Sequence, residues 1–104
     1  MPASFSARAL RNIVEIFRYI AKDDPIAAGV VRDRIFTVAD LVAEYPRLGH
    51  DTCVHGIRVA PVSPYPYLVF FRHVRAERCV RILRVRHAAR RPLYVNEPAR
   101  EFAL

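Results

Sequence analysis

Apolar residues recur every three or four positions through the N-terminal half of the chain. Between Ser6 and Ala21 they fall on one helical face, at Leu10, Ile13, Val14, Phe17, Ile20 and Ala21. A second stripe follows between Pro25 and Tyr45, at Val31, Ile35, Val38 and Val42. This spacing predicts two amphipathic helices, each with one face directed at a core.

The junction between the two stripes has the composition of a helix start. Asp24 can accept hydrogen bonds from the first amides of the second helix, and Pro25 suits its first turn because no amide hydrogen is needed there. Pro46 and Gly49 end the second stripe. The two helices are therefore predicted to form an antiparallel hairpin with a tight connection.

The pattern changes to alternation in the second half of the chain. Strands are predicted near Ile57–Val59, over Tyr67–Val74 and over Cys79–Arg86, with the charged segment 75–78 as the turn of a hairpin. Because an isolated hairpin is only marginally stable, the helices are expected to cover one face of this sheet. Strict alternation in the last strand would place Leu83 and Val85 towards the helices.

Some apolar residues lie off both helical stripes. Ile16 is displaced from the first stripe, and Val30 and Phe36 are displaced from the second. A two-helix layer over a small sheet would leave part of this surface uncovered, which favours a groove for a partner segment. The alternative is that these residues pack against the first strand and the C-terminal tail.

The composition is strongly basic. The formal net charge is +7, and Lys22 is the only lysine among 17 basic residues. Such a balance favours an acidic partner, either a nucleic acid or an acidic protein segment, although an arginine-rich composition can also follow from a GC-rich coding sequence. The 104 residues suit one domain, and neither a secretory signal nor a membrane span is visible. We therefore expect a cytoplasmic protein.

Few residues of the sequence suggest a catalytic or metal-binding role. The sequence contains no phosphate-binding loop, nucleophile elbow or paired-carboxylate motif, and its four histidines lack the spacing of metal ligands. The exception is a set of basic residues in and around the strands: Arg58, Arg84, His87 and Arg90. Guanidinium groups can hold a phosphate while a histidine transfers a proton, which would suit RNA cleavage without a metal. Alternatively, these residues keep the sheet soluble or bind an acidic partner.

Five segments occur in an order that resembles the RelE/ParE toxin superfamily. They are Ala-Lys-Asp-Asp-Pro from residue 21, Tyr-Pro-Arg-Leu-Gly from 45, Gly-Ile-Arg-Val from 56, Tyr-Pro-Tyr-Leu-Val-Phe-Phe-Arg from 65 and Ile-Leu-Arg-Val-Arg-His-Ala-Ala-Arg from 82. The ParE branch is the most similar. The resemblance implies an α+β fold of order β-α-α-β-β-β, in which a short N-terminal strand and a helical hairpin join a small antiparallel sheet. It also implies a toxin domain over residues 1–91, followed by a C-terminal extension over 92–104.

The resemblance further implies the toxin of a type II toxin–antitoxin system. A ParE-like toxin would inhibit DNA gyrase and block replication without being an enzyme or needing a cofactor. It would form a hetero-oligomer with a ParD-like antitoxin, and only the antitoxin would bind operator DNA. The alternative is a RelE-type, ribosome-dependent mRNA endoribonuclease that uses Arg58, Arg84, His87 and Arg90. A degenerate toxin that only binds antitoxin is a third possibility.

Two features of the nuclease pattern are missing from the sequence. No lysine cluster is present, and Tyr94 follows Pro92 too late to match the tyrosine that the pattern places just after the last strand. The gyrase inhibitor is therefore the favoured prediction. Its antitoxin-binding surface is predicted to contain apolar helix residues and strand arginines, namely Leu10, Ile13, Phe17, Val31, Ile35, Arg58, Arg84 and Arg86.

Overall fold

The computed structural model describes residues 2–89 of the chain. A short strand, β1, precedes two α-helices, and four further strands follow them. The elements are β1 (Ala3–Phe5), α1 (Ala7–Ala21), α2 (Pro25–Glu44), β2 (His50–Asp51), β3 (Ile57–Pro61), β4 (Tyr67–Val74) and β5 (Cys79–His87), with a 3₁₀ turn, Arg75–Glu77, between β4 and β5. This order confirms the predicted α+β class. The predicted extension over 92–104 lies outside the described residues.

Both helices begin at side-chain caps. The hydroxyl of Ser6 accepts a hydrogen bond from the amide of Ala9, and Asp24 accepts hydrogen bonds from the amides of Ile26 and Ala27. These bonds satisfy amides that have no partner within their own helix. The predicted cap at Asp24 and the tight connection between the helices are therefore confirmed.

The strands form one sheet in the order β1-β5-β4-β3-β2. Neighbouring strands are antiparallel except for β1, which runs parallel to β5 and pairs Ala3 with Val80 and Phe5 with Ile82. The sheet is thus mixed, whereas the sequence predicted an antiparallel one. Parallel pairing follows from topology, because the helical hairpin carries the chain across one face of the sheet between β1 and the later strands. The two-residue strand β2 was not predicted.

The helices and the sheet enclose the main core. α1 contributes Ala9 and Ile13, and α2 contributes a longer row that includes Ile35 and Val42. The strand residues that pack against them, together with Val62 directly after β3, are Ala60, Tyr67, Val69, Phe71, Val80, Ile82 and Val85. The predicted stripe of α2 is therefore a core face. In α1 the core face is turned from the predicted stripe, because Ala9, Ile13, Ile16 and Ile20 face the core while Leu10 and Val14 are exposed.

A β-bulge in β5 reverses the alternation of side chains. The partner of Phe70 is Arg84, but the partner of Phe71 is Ile82, so Leu83 is an extra residue in the ladder. Leu83 packs with Ile57, Val59 and Phe70 in a second cluster, on the sheet face away from the helices. The prediction that Leu83 faces the helices is therefore wrong, whereas Val85 does face them.

Neither α1 nor α2 is both long and apolar enough to cross a membrane.

Candidate partner-binding surfaces

One side of the helical hairpin carries an exposed apolar surface, here called the hairpin strip and defined as Leu10, Val14 and Phe17 of α1 with Phe36 of α2. The three α1 residues are four and then three positions apart, so they follow one another along one side of the helix. Leu10 and Val14 are each 46% exposed, and Phe36 is 37% exposed. The strip thus offers anchoring positions that the core does not use.

The hairpin strip has a cationic border. The guanidinium carbon of Arg32 on α2 lies 5.2 Å from the ring centroid of Phe17 on α1, which is a cation–π contact across the hairpin. The ring of Phe36 meets that of Phe5 edge to face, with 5.3 Å between the centroids. The strip is therefore ordered by contacts with α2 and β1, and it combines apolar surface with positive charge.

The structure divides the predicted antitoxin-binding residues of the helices into two groups. Leu10 is exposed and Phe17 is partly exposed, so both remain available to a partner. Ile13, Val31 and Ile35 retain at most 5% of their surface because they lie in the core. Their side chains stabilise the fold, so Leu10 and Phe17 are the members of this set that the surface offers to a partner.

The residues displaced from the helical stripes show both predicted outcomes, because Val30 and Phe36 carry exposed apolar surface while Phe36 also packs against Phe5 of the first strand. Phe36 belongs to the hairpin strip, and Val30 is 49% exposed elsewhere on α2. Ile16 differs because it packs partly against the main core. The sequence did not predict Val14 as a surface residue. Its position four residues after Leu10 places both side chains on the same side of the helix, so the spacing could have indicated this.

Arg58 is used within the fold. It lies on β3, and its guanidinium group donates to the carbonyls of Arg47 at 2.7 Å and Gly49 at 3.1 Å and forms an ion pair with Asp51. Its Nε also donates to the carbonyl of Leu48 at 3.4 Å. These bonds fasten the segment that joins α2 to β2. Arg58 is therefore a structural clamp, which explains its place on the strand without invoking a substrate or an antitoxin.

Replacing Arg58 by alanine should lower the free energy of unfolding by roughly 1–3 kcal/mol, since several hydrogen bonds to a charged donor are lost together. Urea denaturation measures this change, and amide exchange should accelerate in the segment 47–52. Arg58→Lys should recover little, because an ammonium group cannot reproduce the fork of donors. Arg72→Ala, on an exposed part of β4, is the matched control. A stable Arg58→Ala protein that no longer binds antitoxin would instead show that Arg58 contacts the partner.

The basic residues of β5 point in different directions. Arg84 pairs with Phe70 and Arg86 pairs with Leu68, and both partners belong to the outer apolar cluster. His87 pairs with Tyr67, which belongs to the helix-side core. Because directly paired residues share a face, Arg84 and Arg86 lie on the outer face and His87 lies on the helix side.

The candidate nuclease residues therefore do not converge among the described positions. Arg58 pairs with Phe71, a helix-side residue, so the sheet separates Arg58 from Arg84. A further strand, β4, separates Arg58 from His87. Arg90 lies outside the described residues. Alternation along β5 already separated Arg84 from His87, whereas the position of Arg58 relative to them depends on the pairing of β3 with β4, which no local pattern gives.

A cavity of about 560 Å³ lies where the second half of α1 passes the end of β5. Glu15 and Tyr19 of α1 line it together with Tyr67 and His87. The rings of Tyr67 and His87 meet edge to face with 5.3 Å between centroids, and Nδ1 of His87 accepts a hydrogen bond from the amide of Ala89 at 3.0 Å. Burial, with a smaller contribution from Tyr19, raises the pKa of Tyr67 above its ordinary value. The phenol therefore stays neutral at physiological pH.

Across residues 2–89, no group of three or more histidine, cysteine, aspartate or glutamate side chains has the arrangement of a metal site.

Comparison with known proteins shows which protein family this chain is similar to. The model for the ParE toxin of the type II toxin–antitoxin system parDE matches residues 3–92. The candidate toxin Y4kP of Sinorhizobium fredii is 42% identical over 84 residues, which cover 81% of this chain and 84% of the relative. Toxin RelE2 of Caulobacter vibrioides is 40% identical over 83 residues, covering 80% of this chain and 90% of the relative.

The fold is also similar to that of a solved structure. A chain from the chromosomal ParDE toxin–antitoxin system of P. aeruginosa superposes with a TM-score of 0.72, over 84% of this chain and 95% of that chain. The sequence identity is 19%, so this match supports the fold alone. The helical hairpin and the five-stranded sheet therefore form an established architecture.

Proposed function

The chain belongs to the ParE toxin family and is the toxin of a type II toxin–antitoxin system, and from that premise we propose that it inhibits DNA gyrase, blocks replication and is neutralised by a ParD-like antitoxin. The observation that carries the choice of a binding mechanism is the separation of Arg58, Arg84 and His87 over the two faces of the sheet. Both gyrase and the antitoxin would meet the toxin in the bacterial cytoplasm.

The separation of the basic residues bears on catalysis for a chemical reason. Cleaving RNA without a metal needs groups that stabilise the phosphate charge and a group that moves a proton, all at one reacting centre. Arg58 is already bonded to three carbonyls and Asp51, and it lies on the opposite face from Arg84. An inhibitor that acts by binding needs no such convergence. This difference favours the gyrase inhibitor.

The antitoxin would cover the hairpin strip. An amphipathic helix can place apolar residues on Leu10, Val14 and Phe36 while its carboxylates approach Arg32. The net charge of +7 would attract an acidic segment over longer distances and speed association. The toxin and antitoxin would thus form a hetero-oligomer, and any contact with operator DNA would be made by the antitoxin.

One observation favours a second candidate function. The relative from Caulobacter vibrioides carries the name Toxin RelE2 at 40% identity, which keeps a ribosome-dependent mRNA endoribonuclease in view. In that mechanism the cavity at the end of β5 would supply His87 for proton transfer, beside Tyr67. His87→Ala would then abolish mRNA cleavage while antitoxin binding persisted.

Inducing the toxin in growing cells distinguishes the two functions. We expect incorporation of labelled thymidine to fall within minutes, while incorporation of labelled leucine continues for longer, because trapped gyrase stops replication first. Co-expressing the antitoxin should restore both rates. If leucine incorporation fell first and messages were cut, the ribosome would be the target and the gyrase proposal would be wrong.

A further inference from the structure

The chain carries an arginine at every third position where β4 turns into β5. These four residues, here called the turn arginines, are Arg72, Arg75, Arg78 and Arg81. The 3₁₀ turn and the residue after it hold two of them, and the paired strands hold the other two. Glu77 is the one acidic residue in the same segment. The end of this β-hairpin therefore concentrates positive charge.

Strand pairing brings two of the turn arginines side by side. Arg72 of β4 pairs directly with Arg81 of β5. Arg72 also pairs with Ile57 of the outer apolar cluster, so both arginines lie on the sheet face away from the helices. Like charges placed directly opposite each other are destabilising. Arg81 forms an ion pair with Glu77, with 3.7 Å between Nη2 and Oε2, but one carboxylate cannot balance four guanidinium groups. A bound anion would stabilise this surface.

Arg78 has an unusual backbone conformation. Its φ of 49° and ψ of 46° lie in the left-handed helical region, where a side chain with a Cβ atom is disfavoured. Its amide closes the turn by donating to the carbonyl of Arg75 at 3.1 Å. Glycine would fit this position without strain. The chain thus keeps a guanidinium group at the end of the β-hairpin at a cost to the backbone, which points to a use for that group.

The end of the β-hairpin extends past both neighbouring strands. β3 pairs with β4 only as far as Arg72, and the pairing of β1 with β5 begins at Val80. In the part of the chain that the structure describes, the segment 73–79 is therefore a two-stranded ribbon with no third strand beside it. Arg75 and Arg78 are exposed on this ribbon. The major groove of duplex DNA, about 12 Å wide, admits an element of this kind.

From these observations we propose that the turn arginines bind the phosphate backbone of duplex DNA. Each guanidinium group can donate two parallel hydrogen bonds to a phosphate. Such contacts read no base sequence, so recognition of an operator would still belong to the antitoxin. The inference goes beyond the proposed function, because it concerns DNA itself and needs no gyrase. During gyrase inhibition, this surface would hold the toxin against the DNA that gyrase has bound.

Duplex DNA suits this surface better than a protein or RNA. None of the large apolar side chains exposed within residues 2–89 belongs to the segment 72–81, whereas protein interfaces bury an apolar core. Single-stranded RNA is held by stacking on aromatic rings, and the segment contains no phenylalanine, tyrosine or tryptophan. The major groove of duplex RNA is too narrow for side chains to read. Phosphates beside an open groove require only positive charge on a narrow element.

Fluorescence anisotropy of a short labelled DNA duplex tests the proposal with purified toxin and no antitoxin. We expect micromolar binding at low salt. Replacing Arg75 and Arg78 together by alanine should weaken binding at least about tenfold and make the slope of log K against log salt shallower by about 2. The matched control replaces Arg11 and Arg18, which are exposed on α1, and so removes the same charge. It should change the affinity by less than about threefold, and thermal unfolding checks that both variants fold.

Substitutions of Arg78 alone separate its charge from its backbone conformation. Arg78→Gly should raise the melting temperature, because glycine tolerates the left-handed region, and yet weaken DNA binding. Arg78→Lys keeps the charge and should bind DNA almost as the original protein does. A glycine variant that bound DNA as tightly as the original would overturn the place of Arg78 in the site.

Other outcomes would overturn the site or its occupant. An equal loss of affinity in both double variants would show that net charge alone attracts DNA. Tighter binding to an RNA duplex of the same sequence would overturn the choice of DNA. Loss of antitoxin affinity with unchanged DNA binding would assign the turn arginines to an acidic protein. The assay contains no gyrase, so a toxin that binds DNA but does not inhibit gyrase would contradict the proposed function alone.

Discussion

Replacing Phe71 by alanine is expected to lower the free energy of unfolding by about 3–5 kcal/mol, the largest effect that we predict for one substitution. Phe71 is fully buried on β4, where its ring packs in the core between the sheet and both helices. Truncation to alanine removes the favourable free energy of transferring the ring from water into the core. It also leaves a cavity that the neighbouring strands cannot easily fill. Because small domains are stable by only about 5–15 kcal/mol, this loss is a large fraction of the total, and the urea midpoint should fall markedly.

Urea denaturation measures this loss, and Phe71→Leu is the matched control. Leucine keeps most of the apolar volume, so its cost should be clearly smaller than that of alanine. A loss below about 1 kcal/mol for Phe71→Ala would show that the sheet does not pack on the helices as described.

The second large effect concerns antitoxin binding. Replacing Leu10 and Val14 together by glutamate should weaken binding of the antitoxin by at least about 100-fold, equivalent to roughly 2.7 kcal/mol. Both side chains are about half exposed, so the fold tolerates the change, but the complex would lose two apolar anchors and bury carboxylates beside an acidic partner. Titration calorimetry with the purified antitoxin measures the affinity.

Leu41→Glu provides the control for added negative charge on the hairpin. Leu41 is 38% exposed on α2, and its position in the helix places it on a different side from Phe36. We expect this variant to retain nearly full affinity. If Leu41→Glu weakened binding as much as the double variant, net charge rather than the hairpin strip would control the complex.

The sequence predicted the helices well because their signals are local. Periodicity located both helices and the core face of α2, and the predicted cap at Asp24 depends on amides within three residues of it. The parallel pairing of β1 with β5 joins residues almost eighty positions apart, so no local pattern could report it. The bulge at Leu83 also escaped prediction, since one extra residue in a strand leaves the apolar composition unchanged.

The candidate surface was harder to predict than the core. Periodicity shows that Ile13, Val31 and Ile35 are apolar and share a helical face, but it does not show whether a sheet or a partner covers that face. On α1, Leu10 and Phe17 lie only about 40–60° from Ile13 around the helix axis, yet they remain accessible. Arg58 illustrates the same difficulty, because an arginine that clamps a loop and one that binds a partner look alike in sequence.

A gyrase assay with purified, antitoxin-free toxin tests the central claim most directly. Relaxed plasmid, ATP and gyrase are incubated with increasing toxin, and both supercoiling and cleaved plasmid are scored. We predict loss of supercoiling, accumulation of cleaved DNA and reversal of both effects by the antitoxin. Undiminished supercoiling in the presence of folded toxin that still arrests growth would contradict the proposal that gyrase is the target.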